Sequence, residues 1–244
     1  MTHDLRVCDD VDDLSRRAAE AVRAAIDDAV SRHGRCSIAL AGGTTPRPIY
    51  RLLASQFKEQ IPWTDIHVFW GDERFVPVGD PQRNETMVRE ALLDHVPCPP
   101  SHVHAVPAAS TAGEAAAQYE AALRQHFGNG WPRFDLVLLG LGEDAHTASL
   151  FPRSAALREK KRWVVEVTVP AEPPVRVTLT LPVFNHAALI YFVVTGSNKA
   201  PALRLALDAA DPESYPAAGI RPAGGAIWWV DRDAVRGLES TRRP

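Results

Sequence analysis

Residues 134–152 read FDLVLLGLGEDAHTASLFP, and the order of chemistries in this stretch decides the fold. A run of buried-looking apolar residues stops at Gly140 and Gly142. Two carboxylates follow, Glu143 and Asp144, then His146, with Pro152 a few residues on. Apolar residues that end in Gly-x-Gly read as a parallel strand delivering its carboxyl end to a loop, where open α/β sheets keep their ligands. His146 is therefore expected close to whatever this protein binds.

The same grammar recurs on either side. "SIALAGG" is a short apolar strand ending in glycines, and "TTPRPIYRLLASQF" after it is a helix with Thr45 as cap and Pro46 in its first turn. Strand, loop and helix are read again at "IHVFWGDERF" and at "ALIYFVVTGSNKAPALRLAL". Upstream, residues 13–33 read as an amphipathic helix with Asp12 or Asp13 as N-cap. Leu14, Ala18, Val22, Ile26 and Val30 form its stripe and Gly34 ends it. Shorter β-like runs are "RWVVEVTV", "VRVTLTL" and "GAIWWVD", the last a late strand of the same sheet. Adjacent Trp228 and Trp229 point to opposite faces of it. Strands alternating with helices predict an open, doubly wound, mostly parallel sheet flanked by helices. Prolines gather at 97–107 and 170–174, which read as surface loops because the grammar resumes after each, so residues 1–244 are expected to be a single domain. There is no internal repeat, and the tail "RGLESTRRP" reads as frayed.

Composition narrows the class. A chain of 244 residues with 45% hydrophobic and 23% charged residues has the balance of a soluble globular protein. No apolar run reaches the roughly 20 residues of a membrane span, and "MTHDLRVCDDVDD" is too acidic for a secretory signal, so a cytoplasmic location is expected. Cys8, Cys36 and Cys98 are odd in number and widely spaced, which fits structural thiols better than a disulfide framework. A net charge of −3 argues against nucleic acid, although a local pocket can still be positive. No exposed apolar stripe stands out, and a monomer or small homo-oligomer is expected.

Several stretches offer chemistry. "AGGTTP" presents the backbone amides of Gly42 and Gly43, the hydroxyls of Thr44 and Thr45 and a helix N-terminus, a cradle suited to a phosphate monoester as well as a plain capped turn. "GDERF" sets Asp72, Glu73 and Arg74 straight after a strand; such triplets are usually solvated turns, but this one lies on the ligand edge. Lys199 in the first turn of a helix opposes the helix dipole, a placement that makes sense if an anion neutralises it. Arg176 opens "RVTLTL", where an arginine is more often solvated than functional. Gly140, Gly142 and Ala145 match the loose G-x-G-x-x-G/A spacing of dinucleotide sites, with Glu166 at about the expected distance of ~20 residues. Glu143 and Asp144 would repel a pyrophosphate, however, and Pro152 interrupts the helix that fingerprint needs. The better reading makes His146 a base with Asp144 to orient its ring. No G-x-S-x-G elbow occurs, which argues against a serine nucleophile. His102, His104 and Cys98 lie in a proline-rich loop without a clear fourth ligand, so no metal is expected.

Taken in order, "AGGTTP", "WGDERFVP", "RNETM", "LGLGEDAHTASLFP", "RVTLTLPVFNHA" and "TGSNKA" resemble the 6-phosphogluconolactonase family over nearly the whole chain. The resemblance implies hydrolysis of 6-phospho-D-glucono-1,5-lactone, a small-molecule sugar phosphate, in the second step of the oxidative pentose phosphate pathway. It implies neither metal nor organic cofactor, and a fold related to glucosamine-6-phosphate deaminases and ribose-5-phosphate isomerases. It places the general base on His146 with Asp144 beside it, the arginine of G-D-E-R on Arg74, and the asparagine of the following loop on Asn84. The phosphate loop falls on Gly42, Gly43, Thr44 and Thr45, with Arg176 and Lys199 at basic positions near the phosphate and Asp72 among the substrate-binding residues. Two departures stand out. Ala145 replaces a usual glycine, which costs about 1 kcal/mol if that backbone needs positive φ. Ala41 stands where a serine is common.

Two other functions fit the same stretches. A glucosamine-6-phosphate deaminase or isomerase would share the phosphate loop and Asp-x-His, but enzymes of that kind carry a glutamate shortly after the histidine, where this chain has "SLFP" with Phe151. A non-catalytic sugar-phosphate sensor would need only the phosphate contacts, and has no use for Asp144, His146 and Arg74 together.

Overall fold

Residues two apart on a strand share a face, and in this protein that alternation divides the interior into two cores. The computed structural model describes residues 4–208, 211–236 and 238. The chain begins with β1 (Asp4–Cys8), α1 (Val11–His33), β2 (Cys36–Leu40), α2 (Arg47–Ser55) and β3 (Ile66–Trp70). It continues through β4 (Asp72–Arg74), α3 (Asn84–Ala91), α4 (Ala112–Phe127), β5 (Leu136–Leu139), β6 (Val164–Thr168) and β7 (Val175–Leu179). The last elements are α5 (Leu181–Asn185), β8 (Ile190–Val194), α6 (Ala200–Asp208) and β9 (Ala226–Asp231).

Six strands form one sheet in the order β1-β9-β8-β5-β2-β3, every neighbouring pair parallel. Strand β5 is buried along its whole length. Its Leu136 and Leu138 pack into one core with Leu14 of α1, Tyr50 of α2 and Val88 of α3, while Val137 and Leu139 face the other, with Tyr119 of α4, Phe184 of α5 and Leu203 of α6. The tryptophan pair divides in the same way. Trp228 stacks on Phe192 with ring centroids 3.8 Å apart in one core, and Trp229 lies in the other. Because the chain passes from β2 outward to β3 and from β5 outward to β8 and β9, the winding reverses between β2 and β5. In such sheets the crevice at that reversal is the ligand position.

Several local expectations need correcting. The N-cap of α1 is Asp10, whose carboxylate accepts from Asp13 N at 2.8 Å, so Asp12 and Asp13 lie inside the first turn, where their charge favours the helix dipole. Gly34 ends the helix at φ 72°, as read. Pro46 rather than Thr45 holds the N-cap position of α2, and no side chain caps it. Asp72–Arg74 is not a turn: at Gly71 the chain leaves the parallel sheet and joins a second, antiparallel one, ordered β4-β7-β6. No helix follows β5; turns lead instead to a short 3-10 segment at Ala155–Arg158. Asn84 is the first residue of α3, not a loop residue. Strand β1 and helices α3 and α4 were not read in the sequence at all. The tail beyond Arg236 lies, except for Leu238, outside the described residues. The three cysteines are free, and burial raises the pKa of each thiol, as fits unreactive packing residues. Among the described residues no helix is long and apolar enough to cross a membrane.

Candidate active site

The loop after β5 is closed by its own backbone. Gly142 N donates to His146 O at 2.8 Å, Ala145 N to Gly142 O at 3.1 Å, and Thr147 Oγ1 to Gly140 O at 2.8 Å. To make these turns Ala145 adopts φ 62°, so the left-handed backbone that would suit glycine is present and alanine carries the strain. Asp144 Oδ1 lies 3.1 Å from His146 N and 2.6 Å from His146 Nδ1. With the Nδ1 proton donated to that carboxylate, Nε2 keeps its lone pair. Phe151 stacks on the imidazole at a centroid distance of 3.9 Å and fixes its plane. Gly142 is needed for room: a Cβ there would stand 2.0 Å from His146 Nδ1.

The loop after β2 faces this one across the reversal point. A Cβ on Gly42 would fall 1.7 Å from Asn84 Oδ1, so glycine lets α3 bring Asn84 against the loop backbone. Asn84 Nδ2 donates to Asp72 O at 2.8 Å, and Asp72 Oδ2 accepts from Ser149 Oγ at 2.6 Å. Glu73 is 1% exposed and serves neither loop directly. Its carboxylate accepts from the backbone N–H groups of Arg74, Asn84 and Glu85, at 2.7, 2.6 and 2.8 Å, tying β4 to the N-terminus of α3. Burial pushes the Glu73 carboxyl up to about 7, while those N–H donors and Arg83 pull the other way.

Three cations enter the same space. Arg74 and Arg176 are directly opposite each other on antiparallel β4 and β7. Like charges in that arrangement repel. Arg176 is buried rather than solvated, and its Nε donates to Pro173 O at 3.0 Å. Burial lowers its pKa, with Asp72 opposing and Arg74 adding to the effect. Lys199 stands in the 3-10 turn that leads into α6. None of the three makes a salt bridge with any described residue.

Together these groups line a cleft of about 500 Å³. Its walls include Gly42, Gly43, Thr44, Thr45, Asp72, Arg74, Asn84, His146, Arg176 and Lys199, so ten of the residues singled out in the sequence converge there. Asp144 stands behind His146 instead of on the wall. The dinucleotide reading fails, because no helix opens after Gly142 and Glu166 lies on β6 beside Gly113 of α4. Ser149 enters the site through Asp72, a contact no residue pattern announces, while Glu73 of the charged triplet and Phe151 of "SLFP" support the loops instead of lining the cleft. The cleft thus holds a carboxylate-oriented imidazole within reach of an electropositive pocket, which suits general-base chemistry on an anionic molecule.

Comparison with known proteins finds relatives over nearly the whole chain. The family model described as glucosamine-6-phosphate isomerases/6-phosphogluconolactonase matches residues 9–229. A 6-phosphogluconolactonase of Nostoc sp. is 41% identical over 239 residues, covering 96% of this chain and 98% of its own. The 6-phosphogluconolactonase of Mycobacterium tuberculosis is 40% identical, with 98% and 100% covered. Among solved structures, the 6-phosphogluconolactonase of Thermotoga maritima superposes with a TM-score of 0.84 at 29% identity, over 95% of this chain and 100% of that one.

Proposed function

The chain belongs to the glucosamine-6-phosphate isomerase/6-phosphogluconolactonase family, and from that premise we propose that it hydrolyses 6-phospho-D-glucono-1,5-lactone to 6-phosphogluconate in the cytoplasm. One observation carries the reading: Arg74, Arg176 and Lys199 share a cleft with a carboxylate-bound histidine and, among the described residues, have no carboxylate of their own in a salt bridge. A sugar phosphate supplies the missing charge, and its ring ester supplies a carbonyl for the base to act on.

His146 Nε2 takes a proton from water as the oxygen attacks the lactone carbonyl. The bond from that carbon to the ring oxygen then breaks, and the proton passes to the departing oxygen. Asp144 holds the tautomer and stabilises the imidazolium that forms in between. A lactone is an activated ester, so general-base assistance of about 10²–10⁴ together with positioning suffices without a covalent intermediate. Arg74 stabilises charge on the carbonyl oxygen, while Arg176, Lys199 and the Gly42–Thr45 loop hold the phosphate. Asn84 and Asp72 contact the sugar.

His146→Asn tests the assignment. We expect lactone turnover, measured above spontaneous hydrolysis, to fall by at least about 100-fold with the melting temperature little changed. A near-normal rate contradicts it. Ammonia release from glucosamine 6-phosphate is expected to be absent, and its appearance would favour the deaminase chemistry found elsewhere in this family.

A further inference from the structure

At the opposite end of the sheet from the cleft, where β2 and β3 begin, four imidazoles from three parts of the chain meet. His67 is the second residue of β3. His102 and His104 arrive from the proline-rich loop, because Val103 bridges Val68 in parallel and His104 N donates to Val68 O at 2.8 Å, extending the sheet edge by one short pairing. His126 comes from the last turn of α4. The rings of His67 and His102 stack at 4.0 Å, and those of His67 and His126 lie 4.5 Å apart. His67 Nδ1 is 3.1 Å from His104 Nε2. In the triad His67, His104 and His126, the ligating nitrogens all lie within 4.8 Å of one another, and each residue is half-buried.

We propose that His67, His104 and His126 form a binding site for a divalent first-row transition ion, zinc above all, separate from the catalytic cleft. Tetrahedral zinc with Zn–N bonds of about 2.0–2.1 Å sets its nitrogen ligands roughly 3.3–3.4 Å apart, so the 3.1 Å pair needs only a small opening to admit the ion. Three further features suit it. Ser37 Oγ is 2.8 Å from His126 Nε2, and Asp135 Oδ2 accepts from Ser37 N at 2.8 Å, the kind of outer support that orients ligating imidazoles. Beside the triad, His102 Nδ1 is buried and has no hydrogen-bond partner among the described residues, so it or a water completes the coordination. Burial and neighbouring imidazoles, with Arg35 adding to the effect at two of them, depress the pKa values of His67, His104 and His126, leaving the rings neutral and their lone pairs available at physiological pH. The ion would tie β3, the proline-rich loop and the end of α4 together, a stabilising role remote from the chemistry. In the sequence, His102, His104 and Cys98 share a proline-rich loop that offers no further ligands. The fold supplies them from residues 37 positions before His104 and 22 after it, and leaves Cys98 out.

The test uses the full chain stripped with a chelator and titrated with Zn²⁺, and separately with Co²⁺ as a coloured probe. We expect one ion per chain, visible absorption of low-symmetry Co²⁺, and a rise in melting temperature of about 5–10 °C once Zn²⁺ exceeds Kd a hundredfold. His126→Gln and His104→Gln are each expected to abolish the shift and the cobalt spectrum while lactone hydrolysis stays within about threefold of the parent. His146→Asn should leave metal binding intact. No melting shift and no cobalt absorption in the parent protein overturns the proposal, whatever the variants do. Binding that survives in both glutamine variants, or that disappears in His146→Asn, also overturns it by locating the ion elsewhere.

Discussion

Gly142 and Ala145 show how narrowly the loop after β5 is drawn. A methyl group at Gly142 would collide with His146 Nδ1 and crowd Asp144 Oδ1, so Gly142→Ala must displace the imidazole or its carboxylate. Since misplacing a reacting group by about 1 Å can cost 10²-fold, lactone turnover in Gly142→Ala should drop by about that factor, read from kcat with circular dichroism as the control for folding. Ala145 offers the reverse case. Its left-handed backbone costs an L-residue roughly 1–2 kcal/mol, part of which glycine loses again through the unfolded chain. Ala145→Gly should therefore stabilise the protein by up to about 1 kcal/mol in denaturant unfolding, and clear destabilisation would mean that the buried methyl outweighs the strain. The Asp144–His146 pair was legible in the sequence because both members sit in one short loop. Ser149 and Phe151 lie in the same motif but were not, since a hydroxyl reaching Asp72 and a ring covering the imidazole depend on how two sheets meet.

At the scale of elements, β4 and α3 do what a lone loop could not. Glu73 gathers three backbone N–H groups and thereby fixes Arg74 and Asn84 against each other. Glu73→Gln turns an acceptor into a donor facing those groups. It is expected to cost about 1–3 kcal/mol in unfolding free energy and to lower kcat/KM, whereas unchanged stability would remove Glu73 from this role. The paired arginines make a second test. An anion relieves their repulsion, so inorganic phosphate at a hundredfold excess over its Kd should stabilise the protein by about 2.7 kcal/mol, and Arg176→Met should erase most of that response. Absence of any phosphate effect in the parent would contradict the anion role. Strand β4 is hard to read for one physical reason: a three-residue antiparallel strand has no periodicity to display, and two of its charged residues, Asp72 and Glu73, are buried by tertiary packing. The long helix α1 and the apolar strands were plain because each carries its own pattern. Strand β1 was hidden by its exposure and charge, as an edge strand paired on one side only.

Across the whole molecule, the parallel sheet separates two tasks. Its carboxyl ends carry the glycine loops to the reversal between β2 and β5 and build the cleft; its amino ends carry the imidazole cluster. Strand-end glycines alone pointed to the carboxyl edge of the sheet, while Asn84 and Arg176 came only with the family resemblance. Nothing pointed to the cluster, because histidines from a strand, a loop and a helix have no sequence spacing in common. In the proposed reaction His146 activates water against a lactone held at its far end by Arg176, Lys199 and the Gly42–Thr45 loop. A crystal structure with 6-phosphogluconate bound decides between this arrangement and its reverse. The product carboxylate should lie within one bridging water of His146 Nε2, with the phosphate against Arg176 and Lys199. A product bound in the opposite sense, its carboxylate out of reach of that imidazole, would rule out His146 as the base.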